Sequence, residues 1–201
     1  MRNISIKYLC IDCIKANYSS FYDAIDEDRK NKIARLKNED DKLRSLGAGY
    51  LIKKYIKGAI LYNNQGKPYV NDNNIHFNVS HSGKYVIIAL SDVPIGIDIE
   101  VINDRYLKLV DYCLDDIEKE YSKNAKSFFE LWTNKESLIK CLGINVGSIK
   151  KINGLPINGI REFEEKEFSS KTIYLDNYVI TTTIEGNEEI DINISDDSEN
   201  H

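Results

Sequence analysis

Proline and methionine are scarce in this chain, at three and one among 201 residues. That composition argues against long disordered arms, which are usually rich in proline. Basic charge is not in excess either. Against 27 Lys and Arg stand 32 Asp and Glu, a formal net charge of -5. No global attraction for nucleic acid or for an anionic membrane follows, although local basic clusters remain open. No apolar run is long enough to span a bilayer, and residues 1–10 carry no apolar signal core, so the expectation is a cytoplasmic protein with neither membrane nor nucleic acid as partner. Cysteine is limited to Cys10, Cys13, Cys113 and Cys141. Cys10 and Cys13 sit in an alternating run where positions three apart face opposite sides of a strand, so four free thiols are expected rather than a redox pair.

What is present is enough apolar material, 42% of residues, to bury a core in one large or two small domains. The stretch Ile95-Gly96-Ile97-Asp98-Ile99-Glu100 stands out. Its alternation predicts a β-strand with Ile95, Ile97, Ile99 and Val101 in the core and Asp98 and Glu100 side by side on the other face. Residues two apart on a strand are about 6.5–7 Å apart at Cα. Two carboxylates so placed can converge on a cation of magnesium size, and a solvated strand face would show the same residues.

Before it, a strand is expected near residues 3–13 and two helices between 26 and 60, carrying Arg29, Lys32, Lys37 and Arg44. Residues 63–68 form a turn holding Lys67 between Gly66 and Pro68. A second alternating run, 75–83, places Ile75, Phe77 and Val79 on one face and His76, Asn78 and Ser80 on the other, and delivers Ser80 and His81 to a strand end. Adjacent Ser and His without a G-x-S-x-G turn do not make a serine hydrolase. Short helices are expected near 107–113 and 115–123, then a strong helix over 126–142. On it Phe128, Leu131, Trp132, Ile139 and Leu142 share one arc, and Phe129, Thr133, Glu136 and Lys140 another. Strands follow at 162–168, 172–175, 178–184 and 189–194, and residues 196–201 form a loose polar tail.

The Gly96–Glu100 segment followed by Trp132-Thr133-Asn134-Lys135-Glu136-Ser137-Leu138-Ile139-Lys140 resembles the signature pair of the Sfp-type 4′-phosphopantetheinyl transferases. Residues 66–68 and 77–83 match two further motifs of that family, in order. The resemblance implies an α+β fold of two similar halves related by a pseudo-twofold, with coenzyme A in the cleft between them. The halves are expected at 1–101 and 102–195. It implies Mg²⁺ on Asp98, Glu100 and Glu136, with Glu136 as base and Lys140 on the pyrophosphate of coenzyme A. Arg44, Ser80 and His81 are implied near the 3′-phosphate, Arg29 and Lys32 at further phosphate contacts, and Lys67 at the adenine end. The implied reaction moves phosphopantetheine to a serine of an acyl or peptidyl carrier protein of fatty acid, polyketide or nonribosomal peptide synthesis, releasing 3′,5′-ADP, and the enzyme is expected as a monomer. Members of the family often continue with a glycine-rich basic stretch, where this chain has Cys141-Leu142-Gly143-Ile144-Asn145-Val146-Gly147. A Mg²⁺-dependent phosphohydrolase and a silent coenzyme A or carrier-binding module are the alternatives.

Overall fold

The computed structural model describes residues 1–71 and 75–198, apart from the side chains of Val146 and Ser148. The chain runs through two series of elements that share a core pattern. The first series is β1 (Arg2–Cys10), α1 (Ile11–Ala16), α2 (Tyr18–Ala24), α3 (Glu27–Ala34), α4 (Glu39–Tyr55), a small hairpin of β2 (Ile60–Tyr62) and β3 (Pro68–Val70), then β4 (His76–Ser82) and β5 (Tyr85–Ser91). The second is β6 (Ile95–Val101), α5 (Val110–Cys113), α6 (Asp116–Tyr121), α7 (Ala125–Leu142), β7 (Gly159–Phe163), β8 (Lys166–Leu175) and β9 (Tyr178–Glu185), with β10 (Ile190–Asp196) last. The sheets run β10-β1-β5-β4 and β6-β9-β8-β7. Strand, long helix and a hairpin whose second strand lies beside the first strand therefore recur, β1-α4-β4-β5 answering to β6-α7-β8-β9.

The long helices begin and end where their residue chemistry says they should. Asn38 accepts from Asp41 N to start α4, with acids in the first turn and Lys53 and Lys54 in the last, matching the helix dipole. Asn124 and Ser127 cap α7 reciprocally, and Gly143 ends it in the left-handed conformation at φ 67°. One apolar cluster packs α4 on the first sheet through Leu46, Leu51, Val86 and Ile88. Another packs α7 and its neighbours through Phe128, Leu131, Leu138 and Phe168. A third joins the sheets, with Ile4, Ile6 and Ile87 from the first and Ile95, Ile97, Ile99 and Ile180 from the second.

Several elements depart from the sequence expectation. β1 stops at Cys10 and helix begins at Ile11, so Cys13 is helical; all four thiols are free. Helix α4 ends at Tyr55, and α2 interrupts a stretch for which no element was expected. Glu164 and Glu165, at φ 49° and 63°, turn the expected 162–168 strand into a hairpin between β7 and β8. The strand bearing Asp98 lies in the second sheet, paired with β9, so the sheets divide at residues 92–94 rather than after Val101. Its backbone ladder with β9 and the contact of Gly96 with the α7 backbone fix its side of the division, while its isoleucines pack between the two sheets. Finally, β10 returns to pair in parallel with β1. Of the expected loose tail, Asp196 ends β10 and Asp197 is 2% exposed, bonded to Lys54 and Tyr55, while residues 199–201 lie outside the described part.

Candidate active site

Three elements converge on a cleft of about 380 Å³: β4 contributes Val79, Ser80 and His81, β6 contributes Asp98 and Glu100, and α7 contributes Trp132, Glu136 and Lys140. Close approach of β6 to α7 depends on Gly96. A Cβ there would stand 2.0 Å from Ser137 O and 2.3 Å from Cys141 N, both backbone atoms. Helix α7 is held from the sheet side by hydroxyl pairs, Thr133 with Thr181 and Ser137 with Thr183. Away from the cleft, Lys135 donates to Glu118 at 2.6 Å and to Cys113 O at 2.7 Å, with both charged side chains fully buried. Breaking either partner of such a pair strands a buried charge, so the helix is fixed about its own axis as well as along it. Glu136 and Lys140, four residues apart, consequently point into the cleft together.

Asp98 is 3% exposed, and its Oδ1 accepts from Lys140 Nζ at 2.6 Å and from Ser80 Oγ at 2.9 Å. Its Oδ2 is buried with no hydrogen-bond partner among the described residues. Glu100 accepts from Ser82 Oγ at 2.7 Å. Burial and then the Asp98 charge push the carboxyl groups of Glu100 and Glu136 up to about 7, partly opposed by Lys140. Three acids crowded together with one orphaned oxygen make a donor set of oxygens alone, suited to a hard divalent cation. Among the described residues no three acidic, histidine or cysteine side chains are arranged so as to hold a metal ion by themselves, so such a cation would take much of its shell from substrate and water.

The cleft's flank is basic. Arg44 donates to Gly83 O at 2.7 Å and pairs with Asp41. His81 is open to solvent but recessed, and desolvation, then Arg44 and Lys140, lower its pKa. Other expected contacts lie elsewhere. Arg29 and Lys32 line a separate basin of about 650 Å³ with Lys53, Lys57 and Tyr62. Lys67 is turned inward, donating to Ile95 O and Cys141 O at 3.1 Å each; burial lowers its pKa. It nevertheless borders a hollow of about 200 Å³ that shares Val79, Glu136 and Lys140 with the cleft and runs under the 65–68 turn. Ser80 is spent on Asp98 and Lys140. Three further side chains take part: Val79 and Trp132 line the cleft, Trp132 while also packing on the α7 core cluster, and Ser82 holds Glu100. Alternation along β4 already put Ser82 on the face of Asn78 and Ser80, and that was the available signal.

Comparison with known proteins agrees with this division. Residues 94–189 match the family model of the 4′-phosphopantetheinyl transferase superfamily, and residues 12–92 that of the N-terminal part of a 4′-phosphopantetheinyl transferase. The chain is 38% identical over 134 residues to the 4′-phosphopantetheinyl transferase gsp of Aneurinibacillus migulanus, covering 59% of this chain and 56% of that one. It is 34% identical over 137 residues to the 4′-phosphopantetheinyl transferase Sfp of Bacillus subtilis, covering 60% and 61%. The matched region thus spans less than two thirds of either relative. The two models meet between residues 92 and 94, where the two sheets divide, and together they take in every cleft residue. With both of its repeats matched in order, the chain belongs to the Sfp-type 4′-phosphopantetheinyl transferase family.

Proposed function

We propose that this protein transfers the 4′-phosphopantetheine group of coenzyme A to a serine of an acyl or peptidyl carrier protein and releases 3′,5′-ADP. The observation that carries the reading is the meeting of Asp98, Glu100, Glu136 and Lys140 in one cleft built from both repeats. In the reaction the serine oxygen forms a bond to the β-phosphorus as the pyrophosphate P–O bond breaks. Positioning and charge compensation are what such a transfer asks of the protein.

Asp98, Glu100 and Glu136 are the residues that would hold Mg²⁺, which when bound supplies charge neutralisation at the pyrophosphate. Glu136, whose carboxyl is pushed up to about 7 by burial and then by Asp98, would receive the serine proton. Lys140 brings an ammonium to the floor of the cleft, suited to the pyrophosphate and to the departing ADP. Arg44 and His81 offer a charged and a neutral donor for the 3′-phosphate at the flank. Arg29 and Lys32, across a separate basin, suit a further phosphate contact, and Lys67 and Pro68 border the hollow suited to the adenine end.

Intact mass after incubation with coenzyme A, Mg²⁺ and an apo carrier protein tests the reading. A gain of about 340 Da on the carrier is expected, lost when its acceptor serine is replaced. Release of 3′,5′-ADP without carrier would favour a hydrolase instead, and neither product would leave a binding module. A second arm takes Arg44→Ala, expected to raise KM for coenzyme A with little change in kcat, since the 3′-phosphate is remote from the bond that breaks. The assignment of Arg44 fails if that variant still favours coenzyme A over dephospho-coenzyme A as strongly as the unmodified chain does.

A further inference from the structure

Strand β6 is paired along one edge with β9. Its other edge faces β4, where side chains take the place of a backbone ladder. Asn78, Ser80 and Ser82 alternate along β4 and therefore share a face. Asn78 Oδ1 accepts from Ile97 N at 2.9 Å, and Ser80 Oγ donates to Asp98 Oδ1 at 2.9 Å. Ser82 Oγ does both things at once, accepting from Val101 N at 3.2 Å and donating to Glu100 Oε2 at 2.7 Å.

We infer that Ser82 is a positioning residue, which holds the Glu100 carboxylate in the orientation that a divalent cation requires. A serine hydroxyl normally rotates to suit its neighbours. Here the Val101 N–H claims one lone pair, so the single proton is directed at Glu100 Oε2, and the other carboxylate oxygen is left for a cation. Ser82 is anchored in the first repeat and Glu100 in the second, so this bond also sets the acid on β6 relative to β4. Loss of the hydroxyl would orphan Val101 N and free the carboxylate to turn, and partners that orient a metal ligand typically govern affinity by 10–100-fold. The inference rests on the metal reading proposed above.

The test is Mn²⁺ binding, followed by its electron paramagnetic resonance signal in the absence of coenzyme A and carrier, at a temperature where each variant is folded by near-UV circular dichroism. Ser82→Ala should weaken the Kd for Mn²⁺ about tenfold or more. Ser82→Thr, which keeps the oxygen, should stay close to the unmodified chain. If Ser82→Ala does not fold, Ser82→Cys takes its place with the same expectation, because a thiol is a weak donor. An unchanged Kd in the folded Ala or Cys variant, with only a lower Tm, would overturn the positioning role while leaving the metal reading standing. Failure of the unmodified chain to bind Mn²⁺ either alone or with coenzyme A present would overturn both.

Discussion

At the scale of single residues, the site stores repulsion that stability measurements can read. The Glu136 carboxyl is pushed up to about 7 by burial and by Asp98. A carboxyl whose folded pKa lies above its unfolded value binds more protons in the native state, so stability falls as pH rises from about 4.5 to about 7 and stays low above it. Replacing Glu136 with Gln removes the charge at nearly constant shape. In the presence of a chelator, Glu136→Gln should gain on the order of 1–3 kcal/mol at pH 8, or a few degrees in Tm, and gain nothing at pH 5, where the native acid is already protonated. Thermal melts of both proteins at the two pH values check this. Equal melting temperatures at pH 8 would remove the stored repulsion, and Mg²⁺ should narrow the difference by compensating the charge in the unmodified chain.

At the scale of elements, the site hangs on the contact between β6 and α7, and both were legible from local pattern. Alternating isoleucines mark β6 with its two acids, and the apolar stripe of Phe128, Leu131 and Ile139 marks α7 to within a residue of its start. What local pattern could not show is that the polar faces are buried too. Asp98, Ser80 and Asn78 are all nearly enclosed, because β4, β6 and α7 cover one another, and nothing within a run of seven residues states which element will cover it. Trp132 packs against the α7 core cluster as its arc predicts, and it also lines the cleft, a wall that exists only once β4 and β6 are in position. Gly96 carries the closest of these contacts. Gly96→Ala would set a methyl against the α7 backbone, where no rotamer change can relieve it. The expected outcome is a loss of at least about 3 kcal/mol in urea unfolding and a collapse of divalent-cation affinity, since β6 and α7 must separate. Wild-type stability in Gly96→Ala would mean that the two backbones are not in contact.

At the scale of the whole molecule, two topological repeats share one body. The cluster between the sheets draws on β1 and β5 from one side and β6 and β9 from the other, so each sheet would expose that face to water without its partner. Strand β10 then leaves the second repeat and pairs with β1 of the first. Its end is fastened by Asp197, whose N–H donates to Tyr8 O at 2.9 Å and whose carboxylate takes Lys54 Nζ at 2.9 Å and Tyr55 OH at 2.7 Å. The strand itself was legible at 189–194, but its pairing had no signature in the sequence, because its partners lie at the opposite end of the chain and a parallel pairing has no turn to announce it. It touches none of the cleft residues, so stability and site can be separated experimentally. Asp197→Ala leaves the Lys54 ammonium and Tyr55 hydroxyl without their acceptor and should cost about 1–3 kcal/mol, lowering Tm by several degrees. Calorimetry should still show a single transition with matching calorimetric and van't Hoff enthalpies, because the shared core remains. Coenzyme A and Mn²⁺ affinities measured well below Tm should be unchanged. Two resolved transitions in the unmodified chain would show the repeats to be independent domains, and a cleft between independent domains could not hold Asp98, on one sheet, bonded to Ser80 on the other.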